Sequence, residues 1–238
     1  MIFKRTSNTS NADHEHWISV SDLMSGLMMV FLFISIALMR HAYMERDKVK
    51  NVAKAYETTQ IAIYESLQTE FGTDLKKWSA KIDRDTLSVE FEDTEVLFKM
   101  GSATLQPRFE EILDDFFPRY IQSLKPYRDS ISEIRIEGHA SSYWNVDTTP
   151  ERAYANNMVL SQARTRSVLF YILDMARTEK EKEWIRKHIA AIGFSSSHLV
   201  MKNGREDARA SRRVTFRLLT NADQQIRRIL GADNENQN

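Results

Sequence analysis

Hydrophobic and polar positions fall into three regimes along this chain. Leu23 to Met39 runs about 17 residues without a charge, which at 1.5 Å per residue falls a little short of a hydrocarbon core of roughly 30 Å. Starting at Trp17 adds Ile18 and Val20 and gives about 23 residues, a comfortable crossing with an indole at the interface. A buried core helix is the alternative, and the length and flanks argue against it. No small-x-small cleavage site follows before Arg40, His41 and Tyr43. The pattern therefore predicts an uncleaved transmembrane helix over 17–39 behind a short N-terminal segment, 1–16.

From Arg40 to Trp78 there is no proline, and glycine appears only at Gly72. Val49, Val52, Tyr56, Ile63, Leu67, Phe71, Leu75 and Trp78 recur at steps of three and four, which predicts a long linker helix over 40–80. The stripe is too irregular to specify a coiled coil. The helix either pairs with a second copy or packs on its own domain.

Strands and helices alternate over 81–220. Leu87, Val89 and Phe91 alternate as a short strand. A full amphipathic stripe from Phe109 to Leu124 is entered through Pro107. Ile134 and Ile136 form a second strand ending at Gly138, and Leu160 to Met175 a second helix. A shorter helix carries Trp184, Ile185 and Ile189, and Val214, Phe216 and Leu218 make the last strand. The order β-α-β-α-β predicts an α+β domain with helices on one face of a small mixed sheet. Residues 221–238 read as a polar tail, with Ile226, Ile229 and Leu230 in a short helix.

Composition narrows the function classes. Thirty-three basic residues balance 33 acidic ones, so the chain is no strongly basic nucleic-acid binder. The absence of cysteine excludes disulfides, a thiol nucleophile and thiolate metal sites. No nucleophile–base set, metal cluster or phosphate loop appears, so no catalytic or metal-ligating residues are predicted and the chain is not expected to be an enzyme. His139 lacks a second ligand at useful spacing and reads as a packed strand-end histidine.

One acid sits inside the predicted span. Asp22 is five residues beyond Trp17, roughly 7–8 Å along a helix axis. A carboxylate in hydrocarbon costs several kcal/mol unless it is paired, hydrated or protonated. Two readings follow. Ser19 and Asp22 fit a capping pattern that would start the helix at Leu23. Alternatively, Asp22 loads a proton on one side and discharges it on the other. Ser25 and Gly26 share its helix face at i+3 and i+4, and their small size lets a partner helix approach. Arg40, Arg46, Lys48, Lys50 and Lys54 follow the span, against Lys4 and Arg5 before it. By the positive-inside rule this count favours a cytoplasmic C-terminus.

Four motifs resemble the OmpA/MotB-like peptidoglycan-binding family. Phe98-Lys99-Met100-Gly101-Ser102-Ala103-Thr104-Leu105 is similar to its F-x-x-G-S-A-x-L opening, and Ile134-Arg135-Ile136-Glu137-Gly138-His139 to its I-x-I-E-G-H strand. Asn157, Leu160, Ser161 and Arg164 match N-x-x-L-S-x-x-R, and Ser211-Arg212-Arg213-Val214 resembles the closing N/S-R-R-V. The stretch from Trp17 to Phe33 is similar to the MotB transmembrane segment, whose aspartate carries protons.

The resemblance implies a site for the diaminopimelate of a peptidoglycan stem peptide, which presents a carboxylate and an ammonium. Arg164 matches the family's carboxylate-binding arginine, and a guanidinium fork suits that role. Asn157, Leu160 and Ser141 complete the implied wall-binding set. The chain departs from the pattern at Ser141, where the family has an aspartate for the ammonium; Asp147 in a longer following loop is one candidate replacement. Asp22 matches the proton-carrying aspartate. The resemblance thus implies a single-pass inner-membrane protein with a periplasmic C-terminal domain, overriding the charge count.

It implies a homodimer inside a ring of MotA/TolQ-like (ZorA-like) membrane subunits, with protons as coupling ion and no other cofactor. The Ser-Ser-Tyr-Trp insert and the missing aspartate fit a flagellar stator poorly. They are similar to the MotB-like subunits of Zorya anti-phage defence systems. The other readings are a flagellar-type or other MotB-like stator, a passive OmpA- or Pal-like wall tether without proton conduction, and a TolR/ExbD-like energiser, which would share Asp22 but lack the OmpA motifs.

Overall fold

The computed structural model describes residues 10–221, and the described chain divides into two units between Ala53 and Lys54. Residues 1–9 and 222–238, with the short helix expected around Ile226, Ile229 and Leu230, lie outside the described residues.

Helix α1 (Ser10–Phe71) begins well before Asp22. Asp22 therefore lies in a helix interior and caps nothing, which removes the reading that starts the helix at Leu23. From Leu23 to Met39 the large apolar side chains are 48% to 74% exposed. Bare apolar surface of that extent calls for lipid or a partner helix. Among the described residues α1 is the one helix long and apolar enough to cross a membrane. The Ser25 hydroxyl donates to the Ser21 carbonyl at 2.8 Å, and a Cβ added at Gly26 would meet nothing within 4 Å. Both small residues leave their face of the helix open.

The linker helix expected over 40–80 is shorter than that. A Cβ at Gly72 would stand 2.6 Å from the Gln68 carbonyl oxygen. Glycine therefore suits the point where the chain leaves the helix, and a one-turn helix α2 (Leu75–Trp78) follows. Ser79 at φ 51° then turns the chain into strand β1 (Ala80–Asp83), which starts at the last residue of the range expected to be linker. The Asp83 carboxylate accepts from the Thr86 backbone N–H and hydroxyl, both at 2.8 Å, and closes the turn into β2 (Ser88–Glu92). Leu87, expected in the strand, occupies that turn at φ 50°.

The last turns of α1 belong to the globular core rather than to a solvated linker. Ile63, Leu67 and Phe71 are fully buried. After the one-turn α3 (Thr94–Leu97), helix α4 (Pro107–Leu124) carries Phe116 into their midst. The Phe116 ring lies 5.1 Å from each of Phe71, Phe91 and Phe216. It thereby joins α1, the sheet and α4 through side chains each worth about 1.5–3 kcal/mol when buried. Arg119, on the same helix, reaches Glu70 at 2.6 Å and Asp74 at 3.0 Å while lying 5.0 Å above the Phe71 ring.

Strands β3 (Ile131–His139), β4 (Ile189–Ser195) and β7 (Arg213–Thr220) complete a five-stranded sheet ordered β1-β2-β7-β3-β4. Only β3 and β4 pair in parallel. The sheet is mixed, as expected, but has five strands where β-α-β-α-β supplied three. The β1 segment is too short to show its alternation, and β4 begins at Ile189, which the apolar spacing assigns to the preceding helix. Helices α5 (Pro150–Met175) and α6 (Glu179–His188) form the crossover from β3 to β4. A small hairpin of β5 (Met201–Lys202) and β6 (Arg205–Glu206), then α7 (Ala208–Ser211), leads into β7. Phe91, Ile134, Ile136, Val214 and Phe216 are buried beneath the helices. The opposite face carries ion pairs such as Lys81–Glu90 at 3.3 Å and Arg213–Glu90 at 3.4 Å.

Candidate binding site

Two glycines set the position of α5. Gly138 and Gly193 face each other in the β3–β4 register. A Cβ at Gly138 would stand 2.8 Å from the Ser161 carbonyl oxygen, and one at Gly193 would stand 2.4 Å from the Gln162 backbone nitrogen. The helix backbone thus lies directly on the sheet, an approach only glycine permits. Buried serines fasten it: the Ser195 N–H donates to Ser161 Oγ at 3.1 Å, and Ser195 Oγ donates to the Tyr154 carbonyl at 2.7 Å. Thr149 caps the helix, accepting from the Arg152 N–H at 3.4 Å, and Pro150 occupies its first position.

This placement turns Asn157 inward. It is 4% exposed, and its Nδ2 donates to the carbonyls of Ser141 at 3.0 Å and Tyr143 at 3.3 Å. Asn157 therefore holds the loop after β3 in shape. Ser141 is itself 4% exposed, with its carbonyl occupied by Asn157. Leu160 is half-buried on α5.

Arg164 lies two turns beyond Asn157 and is gripped from a distant part of the sequence. Gly101, at φ 64°, turns the 98–105 segment so that Phe98 and Leu105 bridge. Thr104 N–H donates to Ser102 Oγ at 3.1 Å within that turn. Arg164 Nε then donates to the Ser102 carbonyl at 3.0 Å, and its guanidinium lies 4.9 Å from the Phe98 ring centroid. Burial, with a smaller contribution from the nearby Arg212 guanidinium, pushes the Arg164 pKa down to about 10. It stays charged at neutral pH. No carboxylate stands within ion-pair distance of it among the described residues. A half-buried guanidinium fixed through Nε keeps its remaining N–H groups in the geometry that suits a carboxylate or similar anion.

The structure thus brings Asn157 to Ser141, and Arg164 to the Phe98–Leu105 motif. Asp22, Ser25 and Gly26 lie in the N-terminal unit. Asp147 is exposed in the loop before α5. His139 is 6% exposed and stacks on Phe194 at 5.4 Å, with Glu137 3.5 Å away. No group of three or more candidate metal ligands occurs among the described residues. Sequence reasoning missed Ser102, Phe98 and Glu206. The Glu206 carboxylate accepts from the Ser142 backbone N–H at 3.0 Å and from the Ser142 hydroxyl, across 64 residues of chain. Ser102 and Phe98 were visible as motif members; Glu206 carries no local signal.

The OmpA family model matches residues 97–213, which contain the loop, α5 and the Arg164 cradle. Among solved structures, a MotB-like protein from Desulfovibrio vulgaris is 21% identical with a TM-score of 0.49, covering 71% of this chain and 93% of that one. The cell wall anchor of the T6SS from Pseudomonas aeruginosa is also 21% identical, with a TM-score of 0.45 and coverage of 65% and 96%. The periplasmic domain of Helicobacter pylori MotB is 17% identical, with a TM-score of 0.45 and coverage of 63% and 87%. The Zorya protein ZorB of Escherichia coli is 52% identical over 219 residues, which span 92% of this chain and 93% of that protein. At that identity over nine-tenths of its length, the chain belongs to the ZorB family, and residues 97–213 are its OmpA family domain.

Proposed function

We propose that this chain is the wall-anchored, proton-carrying stator subunit of a Zorya-type inner-membrane motor used in antiviral defence. The apolar part of α1 crosses the inner membrane once, and the C-terminal unit grips peptidoglycan in the periplasm. Two copies stand inside a ring of MotA/TolQ-like, ZorA-like subunits. Asp22 alternates between protonated and charged forms as protons pass, and Ser25 and Gly26 let the ring helices come close. Proton flow turns the ring while the wall holds the pair stationary.

The observation that carries this reading is Arg164, a guanidinium held in place by Ser102 and Phe98 with no carboxylate in ion-pair distance among the described residues. The interior position of Asp22 in an exposed apolar helix supports the membrane half. Two substitutions test the halves separately. Asp22→Asn abolishes ion-driven function while leaving membrane insertion and assembly intact; normal activity in that variant leaves only a passive wall tether. Arg164→Ala reduces co-sedimentation of the full-length protein with purified sacculi, and unchanged sedimentation removes the wall site.

A further inference from the structure

The loop after β3 is held from two sides. Asn157 of α5 binds the carbonyls of Ser141 and Tyr143, and Glu206 of β6 binds the N–H and hydroxyl of Ser142. Both donors to Glu206 are neutral, and no cation stands within ion-pair distance of its carboxylate among the described residues. Its carboxylate is fixed in position by Ser142, with Lys202 and Arg205 lining the same surface pocket. A carboxylate has about four lone-pair sites, so two donors leave room for more. Asp147, the acid nearest the loop in sequence, is exposed and makes no hydrogen bond or ion pair among the described residues.

Arg164 is the complementary case, a fixed cation without a carboxylate. It lies seven residues after Asn157 on the same helix face, about 10 Å along the axis. Asn157 on that face also binds the loop that Glu206 holds. One loop and one helix face therefore combine a positioned anion with a positioned cation, the arrangement that suits a zwitterionic ligand.

We infer that Glu206 receives the ammonium of the wall peptide whose carboxylate is held by Arg164. The assignment rests on the wall-binding reading above and names the residue that sets its specificity for a free amine. The step is reversible binding, with no bond made or broken.

The test uses the full-length protein in detergent and two soluble probes, a muropeptide with a free diaminopimelate amine and the same muropeptide with that amine acetylated. Wild type prefers the free amine by about tenfold or more, the value of one charge-assisted hydrogen bond. Glu206→Gln keeps an acceptor for Ser142 and an unchanged melting temperature, yet binds both probes as weakly as wild type binds the acetylated one. Arg164→Ala weakens both probes alike, and Asp147→Asn behaves as wild type. A Glu206→Gln protein that retains the preference overturns the assignment while leaving wall binding in place, as does an Asp147→Asn protein that loses it. If wild type binds neither probe nor sacculi, the wall-binding reading fails and this role fails with it.

Discussion

Replacing Gly193 by alanine tests whether the position of α5, and with it the binding site, depends on the glycine pair. The added Cβ would stand 2.4 Å from the Gln162 backbone nitrogen, and 2.6 Å from both Gln162 Cγ and Ser161 Oγ. Ordinary van der Waals contact begins near 3.4 Å, so relief requires a shift of about 1 Å. The nearest obstacle is backbone, so no rotamer change suffices and the helix itself must withdraw. Withdrawal lengthens the 3.1 Å bond from Ser195 N–H to Ser161 Oγ and loosens the loop held by Asn157. Overpacking of this kind costs about 1–3 kcal/mol, and a backbone clash belongs in the upper half of that range. At 2–4 °C per kcal/mol for a domain of this size, the melting temperature falls by about 4–12 °C. The assay is intrinsic fluorescence during heating of the full-length protein, with sacculus co-sedimentation below the transition. Both fall together in Gly193→Ala, whereas Arg164→Ala lowers sedimentation alone. A Gly193→Ala protein with wild-type melting and wild-type sedimentation would refute the close-approach argument.

Arg119→Ala removes the contacts to Glu70, Asp74 and Asp115 and the stacking on Phe71. Because the side chain is partly solvated, the loss is about 1–3 kcal/mol. It registers as a lower melting temperature and a shifted emission from the buried Trp78, 5.9 Å from the guanidinium, with sacculus binding retained at low temperature. His139 predicts an acid-side instability. Burial, opposed in part by Glu137, holds its pKa below the usual 6.5, so the unfolded chain takes up the proton first. The stabilisation from neutral His139 is complete above about pH 6.5 and is lost as pH falls below it. Melting between about pH 7 and pH 5 falls less steeply in His139→Gln than in wild type, and equal slopes exclude the contribution.

The elements that were legible are those whose signal is local and repeated. The apolar run from Leu23 to Met39, the stripe from Phe109 to Leu124 entered at Pro107, and the alternation at Val214, Phe216 and Leu218 each span enough residues to fix a period. The errors fall where one residue serves two elements. Ile189 continues the apolar spacing of α6 yet opens β4, because β4 needs Ile189 against Ile134 of the neighbouring strand. Ile63, Leu67 and Phe71 look like a linker stripe because their partners, Phe116 and its neighbours on α4, lie some forty-five residues downstream. The end of that helix at Gly72 follows from a single missing Cβ, which periodicity cannot register.

The site was legible in part, for a related reason. Arg164 could be named because its motif spacing places it on a helix face, but what holds it, the Ser102 carbonyl, is 62 residues away and is a backbone group common to every residue. Asn157 could be named from the same motif, but its bonds to the loop after β3 could not. Spacing does not register the glycine floor under α5, which sets the helix close enough to the sheet that Asn157 is 4% exposed and meets the loop. Ser141 shows the limit most clearly. A neutral side chain where a charge is expected directs a search to nearby acids, and the nearest in sequence is Asp147. The charge at the loop instead arrives from β6, on a two-residue strand with no pattern of its own, through Glu206 bound to Ser142. A contact between a loop and a hairpin 64 residues apart leaves no trace in spacing. It becomes visible only once the loop and the hairpin are seen in contact.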